Sequence, residues 1–418
     1  MNVNSDRLTA SLEALGRIGA STDETTGIVG VRRLAFSKED GEGRRHVVNE
    51  MKAAGLEVVV DRIGNVFGRR KGRDDGAKPV MSGSHIDSVA TAGRFDGCLG
   101  VLGALEVVKT LNDAKVTTRR PLIVAFFSEE EGARFGTDML GSAVAVGRIP
   151  LEHAYALKDR DGKVVREELE RIGFLGTANE RLAAPHAYVE CHIEQGPMLR
   201  AANVDVGVVT GVQAICWHEL LITGRSAHAG TTPMSLRADP GVAASRVQLA
   251  LRDLVRGGKY GDQLRATMGV TQFHPGLVNV VPNRVVASVD LRHPDDAVLR
   301  RAEVDLVATY ERIAAEEQVA LVHRQSARTP NIAFDPKVQD LVAKSANARR
   351  LVCERIVSGA GHDCQELATL CPAGMVFVPG EYDGISHNPR EFSTPKQCAD
   401  GVNVLLDVLT ALAEEEGT

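Results

Sequence analysis

The sequence predicts an α/β protein: a mainly parallel-sheet catalytic domain with helices on both faces, carrying an inserted ferredoxin-like β-α-β-β-α-β domain. Three observations lead there. Short apolar runs alternate with helical stretches before residue 212 and again after Pro330, while residues 212–330 follow an element order of their own. Ligand-type side chains at His85, Asp96, Glu130, Glu131, His192 and His387 cluster after apolar runs. Side chains at the carboxyl ends of adjacent parallel strands converge on one crevice. At 418 residues the chain is long for one compact unit, so two are expected.

The elements follow in order. Residues 44–54 carry apolar side chains at helical spacing, and Gly55 stands at the stop position. Leu56–Val60, Pro79–Ser82 and Pro121–Phe127 are short apolar runs that read as strands, with a helix at Leu99–Leu111 between the last two. Strand, helix, strand implies a parallel pair with a crossover helix. From Ala214 the pattern changes to a strand at Ile215–Thr223, a helix at Leu236–Arg256, strands at Arg265–Phe273 and Arg284–His293, a helix at Asp295–Glu317 and a strand at Val319–Gln325. That order is the split βαβ sandwich. Beyond Pro330 come a helix at Pro336–Ala348, a strand at Gly374–Val378 and a closing amphipathic helix at Pro395–Glu416. The large domain is therefore expected to be discontinuous, 1–211 with 331–418, and the small domain to span 212–330.

Composition removes several classes of function. A net charge of −6 with no basic stripe argues against nucleic acid. No apolar run approaches ~18 residues, and Met1 to Ala20 lack a signal-peptide core, so neither a membrane span nor export is expected. Seven cysteines, an odd number with no Cys-x-x-Cys pair, suggest reduced thiols in a cytoplasmic protein. Aromatics make up 4% of the chain, too few for stacking platforms, so Trp217 is expected to serve packing.

The chemistry lies in five clusters: His85 with Asp87, Asp96, Glu130 with Glu131, His192 with Glu194, and His387. Oxygen and imidazole ligands without thiolates suit zinc, manganese, cobalt or nickel. A site joining two metals needs a bridging carboxylate and an activating base, and this inventory holds enough carboxylates for both. A single histidine is more often a satisfied core or surface residue than a ligand, so the weight rests on two local features. In His85-Ile-Asp87 the spacing lets the carboxylate reach back to the free imidazole nitrogen and fix a metal-binding tautomer. Glu129, Glu130 and Glu131 directly after Val-Ala-Phe-Phe would be costly at a buried strand end unless a cation neutralises them. The bland alternative is a solvated acidic turn.

Seven ordered strings carry a family resemblance: Ser-Gly-Ser-His85-Ile-Asp-Ser with Gly-Arg-Phe-Asp96-Gly, Ser-Glu-Glu130-Glu131-Gly-Ala-Arg-Phe, Glu-Cys-His192-Ile-Glu-Gln195-Gly-Pro, Ala-His228-Ala-Gly-Thr-Thr-Pro-Met, Pro-Gly-Leu-Val-Asn279-Val-Val-Pro, Ser-Gly-Ala-Gly-His362-Asp363 and Gly-Ile-Ser-His387-Asn-Pro. Together they resemble the hydantoinase/carbamoylase amidase family, a branch of the dinuclear zinc aminoacylase and carboxypeptidase superfamily. That branch includes N-carbamoyl-L-amino-acid hydrolases, allantoate amidohydrolases and β-ureidopropionases. The resemblance runs from about residue 5 to the last helix.

The resemblance implies two divalent metal ions per subunit. Asp96 would bridge them, His85 and His192 would complete one, and Glu131 and His387 the other. Glu130 would be the general base and Asp87 would orient His85, with Glu129 behind the base. An imidazole at 192, where related peptidases commonly have glutamate, fits the amidase branch. A metal-bridging hydroxide would attack the ureido carbonyl while Glu130 carries its proton to the departing nitrogen, and a donor such as His228 would stabilise the oxyanion. Arg292, at the end of the strand Val285–Leu291, could hold a substrate carboxylate, with Asn279 and Gln195 adding hydrogen bonds and His362 touching substrate or supporting the ligands. In the family His228 and Asn279 reach the neighbouring subunit's site, which implies a homodimer through the inserted domain.

The expected activity is hydrolysis of N-carbamoyl-L-amino acids to L-amino acid, carbon dioxide and ammonia. Allantoate or another ureido acid, as for a β-ureidopropionase, is the alternative within the same chemistry. Ala92 stands where the family often has glycine, which bears on the substrate more than on the metals. An aminoacylase or dipeptidase is disfavoured by His192 and Asn279-Val-Val-Pro, and a non-catalytic binding protein by the filling of every expected position.

Overall fold

Four almost fully buried strands, Ala373–Val378, Ala187–Ile193, Val80–His85 and Leu122–Phe127, lie parallel in that order at the centre of a nine-stranded sheet. They are seen in a computed structural model that describes residues 1–416. Burial on both faces explains why these segments read as unbroken apolar runs. The flanks are antiparallel: Val66–Arg70 and then Glu57–Val60 beside Leu122–Phe127, and Val206–Val212 beside Ala373–Val378. The sheet is thus mixed where the sequence suggests a mainly parallel one. Val66–Arg70 ends in Gly68, Arg69 and Arg70 and so forms no apolar run, and Gly207 and Gly211 interrupt Val206–Val212.

Side-chain alternation along Ala187–Ile193 assigns the two faces. Cys191 points to the helix Pro395–Glu414, where a Cβ on Gly401 would lie 3.2 Å from its sulfur. On the other face Glu190 accepts a hydrogen bond from the backbone of Cys364, in the helix Asp363–Leu367. The helix Cys98–Asp113 packs centrally, and Gly100 lets it settle onto the sheet, since a Cβ there would come within 2.7 Å of the Cys191 carbonyl oxygen.

The chain divides into two units, Met1–Gly211 with Ala333–Thr418, and Val212–Ile332. The second has its own five-stranded antiparallel sheet, ordered Arg265–Thr267, Arg284–His293, Ala214–Thr223 and Ala320–Thr329, with Thr271–His274 also on Arg284–His293. Its helices, Pro240–Arg256 and Asp296–Glu316, share a core with the inward residues Cys216, Leu220, Ile222, Val285, Ala287 and Val289. Strict alternation in Arg284–His293 records one covered and one open face. The strand read as Arg265–Phe273 is broken in two, and the helix read from Leu236 begins at Pro240, capped by Asp239. Among the described residues no helix is long and apolar enough to cross a membrane, and all seven cysteines are unpaired.

One buried charge ties the helix Lys38–Ala53 to the sheet. Arg44 is fully buried, donates to Asp40 at 2.7 Å, to the Gly64 carbonyl and to Ser128 Oγ, and lies among the rings of Phe36, Phe126 and Phe174. Removing one partner of a buried pair strands the other, at a cost of about 3–5 kcal/mol. Arg44→Met is therefore expected to lower unfolding stability by that order in denaturant melts; a loss under about 1 kcal/mol would show that Asp40 is not left uncompensated.

Candidate metal centre

The ligand-type residues of the first unit gather at the carboxyl ends of the four central strands. His85 closes the strand Val80–His85, His192 lies near the end of Ala187–Ile193, and Glu129 to Glu131 follow Leu122–Phe127. Asp96 immediately precedes the helix Cys98–Asp113. Gly97 between them has φ +64°, and a Cβ there would lie 2.4 Å from the His85 ring, so only glycine leaves room for the imidazole.

Asp96 is the hub. Its Oδ1 lies 3.6 Å from His85 Nε2 and 3.2 Å from His192 Nε2, while its Oδ2 lies 3.4 Å from His387 Nε2. Glu131 Oε2 is 3.2 Å from the same His387 nitrogen. Two potential ion-holding groups, His85/Asp96/His192 and Asp96/Glu131/His387, therefore share one carboxylate, each of whose oxygens faces a different group.

The imidazoles are pre-set as ligands. His85 Nδ1 lies 3.0 Å from the Asp87 carbonyl oxygen and His192 Nδ1 lies 2.8 Å from that of Ile193, so in each ring the proton belongs on Nδ1 and the Nε2 lone pair faces Asp96. Gly97 N–H donates to His192 Nε2 at 3.1 Å, which agrees with that tautomer. Electrostatics point the same way. Hydrogen bonds to Asp96 and Glu131 push His387 up to about 10, and Glu131 Oε1 is buried without a hydrogen-bond partner among the described residues. This cluster of carboxylates attracts positive charge, and its donor set of imidazole nitrogens and carboxylate oxygens fits two divalent ions.

Glu130 stands beside these groups, buried, with Oε2 3.5 Å from His85 Nε2, and burial pushes its carboxyl well above the usual range. Glu129 turns away: its backbone is left-handed (φ 53°), and its Oε1 accepts from the Arg134 and Phe135 N–H groups at 3.1 and 2.6 Å. The expectation for Asp87 needs correcting. Its carboxylate is 3.8 Å from His85 Nδ1, and the backbone carbonyl of the same residue takes the imidazole proton instead. The turn after the strand points that carbonyl back at the ring and frees the carboxylate to accept from the Glu130 and Glu131 N–H groups, both at 3.4 Å.

Gln195, expected to contact substrate, donates to Asp96 Oδ2 at 2.8 Å, and its buried Oε1 lacks a partner among the described residues. His362 is buried with its ring centroid 4.5 Å from that of His192 and Nε2 2.9 Å from Ser358 Oγ, a supporting position. Glu129, Gln195 and His387 all have positive φ without being glycine, so strained backbone concentrates here.

Two residues absent from the sequence reading complete the support. Glu391 is buried, accepts from the Phe95 and Asp96 N–H groups at 2.9 and 3.1 Å, and receives Ser386 Oγ at 2.8 Å; that hydroxyl also lies 3.0 Å from Asp96 Oδ2. Glu190 accepts from Ser84 Oγ and Tyr188 OH at 2.6 and 3.2 Å on the sheet face that carries His192. The available signal was position: Glu391 four residues after His387, Glu190 two before His192.

His228, Asn279 and Arg292 belong to the second unit. The short strand Ala227–His228 pairs with Val280–Val281, and Ala229 N–H donates to the Asn279 carbonyl at 3.0 Å. Exposed His228 accepts N–H groups of Gly230 and Thr231 on Nδ1 at 3.1 and 3.2 Å, so its proton sits on Nε2. Arg292 Nε and Nη2 engage Asp290 at 3.0 and 2.8 Å.

This α/β fold with paired carboxylate and imidazole groups at the strand ends defines the class of metal-dependent hydrolases. Residues 81–411 match the family described as peptidase family M20/M25/M40. An N-carbamoyl-L-amino-acid amidohydrolase of Rhizobium meliloti is 40% identical over 99% of this chain and 97% of its own length. An allantoate amidohydrolase of Bacillus subtilis is 35% identical over 97% of each chain. A solved amidase of the hydantoinase/carbamoylase family from Burkholderia multivorans superposes with a TM-score of 0.90 at 43% identity, covering 99% of both chains. The chain belongs to peptidase family M20/M25/M40, in its hydantoinase/carbamoylase amidase branch.

Partners that orient metal ligands typically matter about 10–100-fold in metal affinity. Glu391→Ala, which releases the backbone of the Asp96 loop, is expected to weaken metal retention by that order in chelator competition. Unchanged retention would show that the loop holds Asp96 without it.

Proposed function

We propose that the protein hydrolyses the ureido C–N bond of N-carbamoyl-L-amino acids, giving L-amino acid, carbon dioxide and ammonia. The observation that carries this reading is Asp96, shared between two ligand groups with Glu130 beside them. His85, Asp96 and His192 would hold one divalent ion and Asp96, Glu131 and His387 a second, of zinc, manganese, cobalt or nickel; when bound, these ions acidify water and polarise the ureido carbonyl.

The chain's own residues do the rest. Glu130, whose carboxyl burial pushes upward, is suited to take a proton from the attacking water and pass it to the departing nitrogen. His228, with its proton on Nε2, is a donor for the developing oxyanion. Arg292, its fork steadied by Asp290, anchors the substrate carboxylate, and Asn279 and Gln195 supply hydrogen bonds. His362 steadies the His192 ring. The relative that acts on allantoate supports a second ureido acid as the alternative substrate.

We further assign residues 1–211 with 331–418 as the catalytic domain and 212–330 as a ferredoxin-like dimerisation domain, through which His228 and Asn279 serve the partner subunit's site. The β-α-β-β-α-β order and the outward presentation of His228 support this. Unpaired cysteines fit a cytoplasmic setting.

Glu130→Gln keeps every proposed ligand and is expected to lower turnover of an N-carbamoyl-L-amino acid about 10²–10⁴-fold with metal content unchanged. Metal analysis alongside kinetics checks this, and near-normal turnover would remove Glu130 as base. Subunit sharing has its own test. When inactive His228→Ala and Glu130→Gln subunits exchange at random, about half the dimers are mixed and one site in each is intact, so about a quarter of wild-type activity should return. No recovery in a mixture shown by mass to have exchanged would place His228 outside the partner's site.

A further inference from the structure

The second unit holds a cluster of ligand-type side chains that the amidohydrolase chemistry does not use. Cys216 and His218 occupy alternate positions of the strand Ala214–Thr223, so both point to its covered face, and each is 1% exposed. Glu303 approaches from the helix Asp296–Glu316. His218 Nε2 lies 3.5 Å from Cys216 Sγ and 3.1 Å from Glu303 Oε1. We propose that Cys216, His218 and Glu303 form a metal site for a zinc-class divalent ion, separate from the pair of groups around Asp96.

Geometry comes first. Bonds of about 2.3 Å to sulfur and about 2.0 Å to nitrogen or oxygen at a tetrahedral centre put sulfur about 3.5 Å from nitrogen, and nitrogen about 3.3 Å from oxygen. The observed separations are 3.5 and 3.1 Å, with all three atoms within 4.8 Å of one another. His218 Nε2 thus faces both a sulfur and a carboxylate oxygen, and Gln325 Nε2 lies 3.6 Å from the same sulfur. Tyr310 OH, 3.4 Å from His218 Nδ1, can accept the proton that moves there when Nε2 becomes a ligand, the outer contact that ligating histidines usually have.

Outer contacts and access fit as well. Gln325 and Arg328 donate to Glu303, both at 2.7 Å, and orient its carboxylate. A metal-bound cysteine is a thiolate, so binding would release one proton per site, from the sulfur. Glu303 is 18% exposed at the edge strand Ala320–Thr329, which provides an entry path. Water would complete the fourth position. A thiolate among the ligands favours zinc over magnesium or calcium. Bound there, the ion would clip the sheet to the helix.

The ligands around Asp96 include no sulfur, which makes the two kinds of site spectroscopically distinct. Purified protein, equilibrated with zinc and separately with cobalt(II), is compared with Cys216→Ser, Glu303→Gln and Cys98→Ser, the last a control thiol beside Asp96. The expected result is one more zinc per subunit in wild type than in Cys216→Ser, and a sulfur-to-cobalt charge-transfer band in wild type and Cys98→Ser. That band should vanish in Cys216→Ser and weaken in Glu303→Gln, while Cys216→Ser keeps its turnover. Absence of the band from wild type, or its persistence in Cys216→Ser, overturns the site. If Cys216→Ser fails to fold, the same decision rests on Glu303→Gln, where an unchanged band and zinc content overturn it. Loss of turnover in all proteins alike would bear on the amidohydrolase reading alone.

Discussion

Carboxylates crowd the ends of four parallel strands, and that crowding is the constraint on which the first unit depends. Asp87, Asp96, Glu129 and Glu130 are all buried there, with Glu131 beside them, and the cationic partners nearest to Asp96 and Glu131 are imidazoles. Uncompensated buried charge is among the most expensive features a fold can carry. The chain divides the load. Asp87 and Glu129 are turned onto backbone N–H groups, Asp96 and Glu131 onto histidines, and Glu130 is left with a raised affinity for a proton. Structure and chemistry share one origin here, because the carboxylates left without backbone N–H donors are those suited to hold ions or move protons.

Placement of that chemistry follows from the sheet. Parallel strands send all four carboxyl ends to one edge, so residues more than a hundred positions apart meet without long loops. Rigid elements then carry most of the candidate ligands: His85 and His192 stand within strands, and Asp96 sits at the mouth of a helix whose approach requires glycine at 97 and 100. Glu131 lies just past a strand end and His387 on a loop with a left-handed backbone, from which Ser386 and Glu391 bind back to the Asp96 segment. The most mobile class of element is thus fastened to the ligand it must meet.

Much of this was legible in the sequence, and the gaps have physical causes. Buried strands such as Leu122–Phe127 announce themselves because both faces are apolar, and Arg284–His293 because one face is. Val66–Arg70 was hidden by its polar end. The clustered acidic and imidazole positions showed through because such residues rarely follow apolar runs without reason, whereas Glu391 and Glu190 act through backbone N–H groups, hydroxyls and distant chain segments that no local spacing reveals. For Asp87 the spacing identified the right residue and the wrong oxygen, since a carbonyl and a carboxylate two positions beyond His85 are equally near until the turn is known.

The histidines show how far residue identity alone can go. His85 and His192 each aim Nδ1 at a carbonyl, which leaves an Nε2 lone pair suited to a cation. His228 does the opposite, because the Ala229–Thr231 turn presents two N–H groups to its Nδ1 and so places the proton on Nε2. The same side chain therefore presents an Nε2 lone pair in the first unit and an Nε2–H in the second, with the choice made by backbone groups within three residues. A carbonyl undergoing attack needs both: ligands to hold the ions that polarise it and a donor for the charge that accumulates on its oxygen. Opposite tautomers of the same residue type thus arise in this chain from local backbone contacts, so substituting glutamine at His228 would keep a donor group while the same change at His192 would remove the ring whose Nδ1 contact aims Nε2 at Asp96.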